Sequence, residues 1–208
     1  LQRFAPAARR NLEPIRKQLS RLLEGRRGDL LELASGTGEH AAGIAPSLPD
    51  LTWHPSDPDP LQRASIDAHR DAVGTPNLRP ARDLDAAGDW SPDLPGPLAA
   101  IFCANLLHIS PPEVTEGVFR NAGRHLAPGG LLILYGPFAH DGVLEGAGNL
   151  AFDANLRARD PAWGIRDLAD LVPLAERAGL EWLECIGMPA DNQINVFGRT
   201  ATQGRAST

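Results

Sequence analysis

Ile15, Leu19, Leu22 and Leu23 recur at intervals of four, three and one, which puts them on one stripe of a helix. The spacing predicts a helix over residues 7–24, ended by Gly25 or Gly28. The period then changes. Residues 30–34 are short and apolar enough for a buried strand, and Ser35-Gly36-Thr37-Gly38 turns the chain into a helix over 39–45. A second strand is predicted at 51–54. Asp59-Pro60 opens the next helix, with Asp as N-cap and Pro at the first helical position, and Gly74 closes it. A third strand is expected near 78–81, before a loop rich in Pro and Asp.

Residues 98–104 form a continuous apolar run and predict a fourth strand. Ser110-Pro111-Pro112-Glu113 reads as a capping box, opening a helix that carries Val114, Val118, Phe119 and Ala122 and ends before Pro128-Gly129-Gly130. A fifth strand follows at 131–135. Helices are predicted over 149–159 and 166–178, the second stopped by Gly179, then strands at 180–186 and 194–197. Strands that alternate with helices imply a parallel sheet covered on both faces. The last two are too close in sequence for a crossover and must be antiparallel. The expected fold is α/β: a three-layer α/β/α sandwich, Rossmann-like, with a seven-stranded, mostly parallel sheet ending in an antiparallel hairpin. Residues 1–199 make a single domain, 1–27 its N-terminal capping helix, and the small polar residues 200–208 a disordered tail.

Composition narrows the function. No apolar run approaches the roughly 20 residues that span a bilayer, and the longest, 126–138, is broken by Pro128, Gly129 and Gly130. The arginine-strewn start shows no secretory pattern. The chain opens at Leu1 with Met188 as its one methionine, so a chain trimmed at its start is expected. Cys103 and Cys185 have no CxxC spacing, and the six histidines are scattered, so no zinc site, disulfide or other metal site is expected. Two reduced core thiols fit a cytoplasmic protein. Residues 1–27 hold eight basic and two acidic side chains, net +6, which leaves −12 for the remainder of a chain of net −6. So acidic a body repels phosphate backbones, and neither nucleic acid nor membrane is expected as a partner. The basic start reads as the solvated face of a helix. A small molecule is the expected partner, with a homodimer left open.

The candidate chemistry gathers at strand ends, because parallel sheets bind ligands beyond their carboxyl edges. Gly36 and Gly38, after the first strand, allow close approach to the backbone. Glu32 can attract an ammonium group. Asp57, 21 residues beyond Gly36, can take both hydroxyls of a ribose. Asp83 can accept from an adenine amino group while Leu84 packs on the ring. Gly36-x-Gly38-x-x-Ala41 also meets a relaxed dinucleotide fingerprint.

Leu30-Leu31-Glu32-Leu33-Ala34-Ser35-Gly36-Thr37-Gly38, Ser56-Asp57, Arg82-Asp83-Leu84 and Leu126-Ala127-Pro128-Gly129-Gly130-Leu131-Leu132-Ile133-Leu134 resemble the class I S-adenosylmethionine (SAM) dependent methyltransferases. Ala34 stands where that superfamily usually has a third glycine. Longer blocks are similar to a small methyltransferase-like family of unknown substrate: Ala34 to His40, Asn105-Leu106-Leu107-His108-Ile109-Ser110-Pro111, Tyr135-Gly136-Pro137-Phe138, the pattern from Asn149 to Asp167, and Met188-Pro189-Ala190. Gly148 and Asp191 depart from that family's pattern. The resemblance implies SAM as cofactor and S-adenosylhomocysteine as product. The cofactor site it implies takes in Asn11, Glu32, Ala34, Ser35, Gly36, Thr37, Gly38, His40, Asp57, Asp83, Leu84, Asn105, Leu106 and His108. By analogy with related enzymes, the first helix folds over this pocket with Asn11 facing in.

Methyl transfer from a sulfonium needs a held acceptor, and an oxygen or nitrogen acceptor also needs its proton removed. His108 is the leading general base, since imidazole exchanges protons near neutrality, with Asp153 and Tyr135 the further catalytic candidates. No Pro-Pro-aromatic run follows Asn105, so the signature of amino-group modifiers of adenine and glutamine is absent. Asn149, Asp153 and Arg157 share a helix face, on which Asp153 and Arg157 can pair. Phe152 and Leu156 should anchor the neighbouring face. The acceptor site is expected among Tyr135, Asn149, Arg157, Arg159, Trp163 and Arg166, whose arginines suit an anionic group. The rival readings are a nicotinamide-dependent oxidoreductase and a SAM-binding module without catalysis.

Overall fold

Alternation along the central strands sorts the apolar side chains into two cores. The computed structural model describes residues 1–90 and 94–200. Their elements are α1 (Pro6–Leu22), β1 (Gly28–Leu33), α2 (Glu39–Ile44), β2 (Leu51–Pro55), α3 (Pro60–Val73), β3 (Leu98–Ala104), α4 (Pro112–His125), β4 (Leu126–Gly136), β5 (Phe138–Ala139), α5 (Ala147–Arg159), β6 (Arg166–Asp167), α6 (Leu168–Arg177), β7 (Leu180–Met188) and β8 (Asn192–Arg199). Leu31, Ile101 and Leu132 pack with Phe119, Leu171 and Ala175 of α4 and α6. Leu30, Phe102 and Ile133 pack on the other face with Ile15 and Leu19 of α1 and Ile44 of α2. Of the expected disordered tail, 200–208, Thr200 is tied to β7's start by its amide, which donates to the Gly179 carbonyl at 3.4 Å, and 201–208 lie outside the described residues, as does part of the Pro/Asp-rich loop.

The main sheet runs β2-β1-β3-β4-β8-β7. The first four strands are parallel, and β8 and β7 antiparallel. The chain winds outward from β1 to β2, then returns to β1's other side as β3. Strand order reverses there, so a crevice opens beyond the carboxyl ends of β1 and β3.

The sheet has six strands, not the expected seven. The segment predicted as a strand at 78–81 runs beside β2 but makes only isolated bridges, Trp53 with Leu78 and Ser56 with Arg82. Its ladder breaks for a local reason. Pro55 has no amide to donate, and the Ala81 amide turns away to Asp67 Oδ1 at 2.9 Å.

Three further expectations change. Ser110 does not cap α4, whose N-cap is Pro111. Its hydroxyl donates instead to the carbonyls of Leu106 and Leu107, at 3.0 and 3.2 Å, and closes the turn before the helix. Arg166 and Asp167 begin no helix. They pair as β6 with Phe138 and Ala139, and Asp167 caps α6 by accepting from the Ala169 amide. Cys103 is a core thiol, whereas Cys185 is exposed on the edge strand β7. No described helix is long and apolar enough to cross a membrane.

The basic first helix lies on the sheet through Ile15 and Leu19, both fully buried. Truncation of one should therefore cost core packing as well as the hold on the site below. Leu19→Ala is expected to lower unfolding free energy by about 2–5 kcal/mol, seen in urea as an earlier midpoint at unchanged slope. An unchanged midpoint would mean that α1 is not part of the cooperative core.

Candidate cofactor and acceptor site

The turn from β1 to α2 is built from unusual backbone. Ala34, Gly36 and Gly38 all have positive φ, at 48°, 56° and 91°. A Cβ on Gly38 would lie 2.6 Å from Ile66 Cα, so this glycine lets α3 close on the turn. A Cβ on Gly36 would meet nothing within 4 Å. Open space therefore lies over Gly36. Ala34 adopts the left-handed backbone that a glycine would take without strain, at a cost of roughly 1–2 kcal/mol.

Asp57, just past β2, locks this turn. Its Oδ2 accepts from the Gly36 amide at 3.0 Å and its Oδ1 from the Asp59 amide at 2.9 Å. Burial raises its carboxyl above the ordinary range, with the two amides opposing. Ser35 and Ser56 stitch the strand ends together: the Ser35 amide donates to the Ser56 carbonyl at 2.8 Å, and the Ser56 hydroxyl to the Glu32 carbonyl at 2.7 Å. Glu32 itself is 1% exposed. Its Oε2 accepts from the Trp53 indole at 2.9 Å, and burial pushes its carboxyl up to about 7. It is covered in this structure.

The chain before α1 straps the same turn from outside. Glu39 Oε2 accepts from the Ala5 amide at 2.6 Å and the Thr37 hydroxyl at 3.0 Å, while Arg9 Nε donates to Oε1. The Ser65 hydroxyl accepts from the Arg3 amide and donates to the Thr37 carbonyl, both at 2.8 Å. Burial lowers the His40 imidazole, which also bonds the Ala8 backbone, and its Nε2 is buried without a partner. Asn11 is half-buried on α1. The adenine-edge pair is split: Asp83 is exposed and pairs with Arg63 at 3.0 Å, whereas Leu84 is part of the core beside Leu33 and Trp90.

Beyond β3 the chain turns at Asn105, φ 58°, whose amide donates to the Tyr135 carbonyl at 2.9 Å. Leu106 is half-buried and leads into the turn that carries His108, 5% exposed. Gly136 packs against the His108 ring: a Cβ there would come into ordinary contact, 3.4 Å from both Cε1 and Nδ1 and 3.5 Å from Asn105 Oδ1. Phe152 meets the ring edge-on, with centroids 5.4 Å apart. Burial, then the Arg166 guanidinium, pushes the imidazole down to about 4. It is therefore neutral at neutral pH and holds a free lone pair. Tyr135 packs on the α1 face near Met188 and Ile194, and burial pushes its phenol up to about 12, leaving it a donor.

Three polar side chains of α5 bond to the protein itself. Asn149 Nδ2 donates to the Asp191 carbonyl at 3.0 Å. Asp153 accepts from the Ile165 amide at 2.7 Å and from Arg157 Nε at 2.8 Å, which help hold its carboxyl below the ordinary range. The Arg159 guanidinium lies over the Trp163 ring, 5.3 Å from its centroid. Arg166 donates to the carbonyls of Ser110 and Ala162. Leu156 anchors the helix, but Phe152 stays 38% exposed beside His108. The structure thus gathers Asp57 at the glycine turn, and Asn105, Gly136, His108 and Phe152 at the end of β3 and β4. The sequence reading missed Gly136, Glu39 and Ser65. An acid in the first helical turn after Gly38 was the available signal for Glu39, while Gly136 and Ser65 gave none outside three dimensions.

Residues 2–199 match the family described as protein of unknown function DUF938, and the chain belongs to it. The fold is that of the class I SAM-dependent methyltransferases. An O-methyltransferase family protein from Burkholderia thailandensis superposes with a TM-score of 0.79 at 18% identity, over 95% of this chain and 58% of its own. A putative sarcosine dimethylglycine methyltransferase from Galdieria sulphuraria gives 0.74 at 15% identity, over 93% of this chain and 87% of its own. PigF with SAH gives 0.73 at 18% identity, over 92% and 56%. The chain thus spans under three-fifths of the first and third of these proteins.

Glu32 makes stability depend on pH. Below about 4.5 its carboxyl is protonated in both folded and unfolded chains. Between 4.5 and about 7 the folded state keeps the proton that the unfolded state loses, so stability falls as pH rises through that window. Glu32→Gln is expected to match the parent at low pH and to exceed it by a few kcal/mol above neutrality, since each tenfold difference in proton affinity between the two states is worth about 1.4 kcal/mol. Urea midpoints measured at both ends of the window check this, and a difference independent of pH would contradict it.

Proposed function

We propose that the protein is a SAM-dependent methyltransferase acting on a hydroxyl of a small molecule, with His108 as general base. The observation that carries this reading is the open space over Gly36, in a turn locked by Asp57, one strand away from a buried neutral imidazole. SAM, when bound, supplies a methyl group on a sulfonium. The residues fit that group. Gly36 leaves room for it, Asp57 can take ribose hydroxyls, and the half-buried Asn105 side chain faces the same edge of the sheet as His108. The likeness in fold to proteins described as O-methyltransferases supports an oxygen acceptor.

Holding the acceptor in line can supply roughly 7–11 kcal/mol, so the fold does most of its work by placement. His108 adds a lone pair that takes the hydroxyl proton as the new bond forms, a contribution of about 10²–10⁴-fold. Asp153 is held ionised by two donors and is a poorer base, and the Tyr135 phenol stays protonated. An anionic acceptor would find Arg10, exposed on α1, with its charge reaching the Tyr135 phenol.

Calorimetric titration with S-adenosylhomocysteine tests the cofactor. The parent should bind, and Asp57→Asn should weaken binding by about tenfold, the worth of a charged hydrogen bond. Binding of NADH in place of S-adenosylhomocysteine would favour an oxidoreductase. With an acceptor found by screening phenols and carboxylated alcohols, His108→Gln should stay folded, still bind S-adenosylhomocysteine and lose turnover. The acid limb of the parent's rate profile should fall near pH 4, because a base works deprotonated and burial has lowered this one. A limb near 6.5 would place the base elsewhere.

A further inference from the structure

The segment between α5 and α6 bonds to the His108 turn, to α5 and to β5 within three residues. The Gly164 amide donates to the His108 carbonyl at 3.0 Å. The Ile165 amide donates to Asp153 of α5. Arg166 pairs with Phe138 in the strand that follows Gly136, and its Nη2 reaches the carbonyls of Ser110 and Ala162. Ser110 is the residue whose hydroxyl closes the His108 turn on Leu106 and Leu107. The carbonyl that Arg166 holds is therefore the far end of that turn, while Gly164 holds its middle.

We propose that Arg166 is a positioning residue, clamping the His108 turn to the α5–β6 loop and so fixing the imidazole in front of Gly136 and Phe152. This rests on His108 being the base. It gives Arg166 a role different from binding an anionic acceptor, since both bonds from Nη2 go to backbone carbonyls. Its Nε is buried without a partner, so those bonds are its grip. A planar guanidinium can serve two carbonyls from one nitrogen in fixed geometry, whereas an ammonium on a flexible stem fixes neither direction. Among the charged groups packed around the turn, Arg166 on β6 bears on the imidazole. Arg157 and Asp153 on α5 and Glu113 on α4 bear on Arg166 itself. Asn105, Gly136 and Phe152, which touch or face the ring, carry no charge.

The test uses the full chain with S-adenosylhomocysteine, comparing the parent, Arg166→Met and Arg166→Lys by NMR, with His108→Gln to assign the ring signals. Arg166→Met should bind S-adenosylhomocysteine within about twofold of the parent, since both Nη2 bonds go to the carbonyls of Ser110 and Ala162 and none to the glycine turn. Its His108 midpoint should move up towards the ordinary value, because a like charge has gone. Its Gly164 amide should exchange with solvent at least about tenfold faster, as the loop loses its grip. Arg166→Lys keeps the charge and guards against a variant that fails to fold: its His108 midpoint should stay low while Gly164 exchange still rises. A folded Arg166→Met with unchanged midpoint and unchanged Gly164 exchange would overturn the proposal. So would a large loss of cofactor affinity with the midpoint unmoved, which would put Arg166 in the cofactor site. Failure of the parent to bind S-adenosylhomocysteine would instead remove the proposed function, and the same titrations on the ligand-free chain would still decide the clamp.

Discussion

The chain leaves β1 at Leu33 and enters α2 at Glu39, and the five residues between must reverse direction without closing over the crevice. That constraint organises the molecule. The turn cannot satisfy its amides by itself, so Asp57 reaches across from β2 to take the Gly36 amide, and Ser56 takes up the Glu32 carbonyl. Glu39 and Ser65 then fasten Thr37 to the chain ahead of α1. The Asp57, Ser56 and Ser65 bonds hold the backbone around the turn, and the space over Gly36 stays open. A ligand meeting that space finds a surface already organised, which spares the entropy of ordering it on binding.

The other half of the site is held differently. His108 sits on a short turn with no long helix of its own, and its place depends on residues far along the chain. Gly136 packs against the ring, Phe152 faces its edge, and the Gly164–Arg166 segment ties the turn to α5 and β5. The same burial that fixes the ring lowers its basicity. A buried, neutral imidazole is always ready to accept a proton and is a weak base, which suits proton removal in step with bond formation better than removal beforehand. Glu32 shows the converse. Its burial under Trp53 is a cost to the folded chain at neutral pH, offset by the core around it.

Much of this was legible in the sequence because it is local or periodic. Apolar runs gave β1, β3 and β4, helical spacing gave α1 and α4, and Asp59-Pro60 gave a true N-cap. The glycine turn and Asp57 were readable because a strand end, a tight turn and a carboxylate at the next strand end have a fixed relation in a parallel sheet. What was lost depends on hydrogen bonds that sequence does not display. A segment at 78–81 looked like a strand, yet Pro55 and the pull of Asp67 on Ala81 break its ladder. Ser110 and Glu113 fit a capping box by type, but the hydroxyl found the preceding carbonyls first. The arginines of 157–166 looked like an anion site, and two of them, Arg157 and Arg166, are bonded to Asp153 and to backbone carbonyls. Side-chain type signals the chemistry available; only packing says whether the chain has already used it.

The central claim is that the turn held by Asp57 is a cofactor cradle opening towards His108. Amide NMR on the labelled chain during titration with S-adenosylhomocysteine tests it most directly. The account predicts saturable shifts concentrated at Ser35 to Gly38, Asp57 and Asn105, with the edge strand β7 silent. Shifts confined to other faces of the sheet, or none while the chain stays folded, would contradict it.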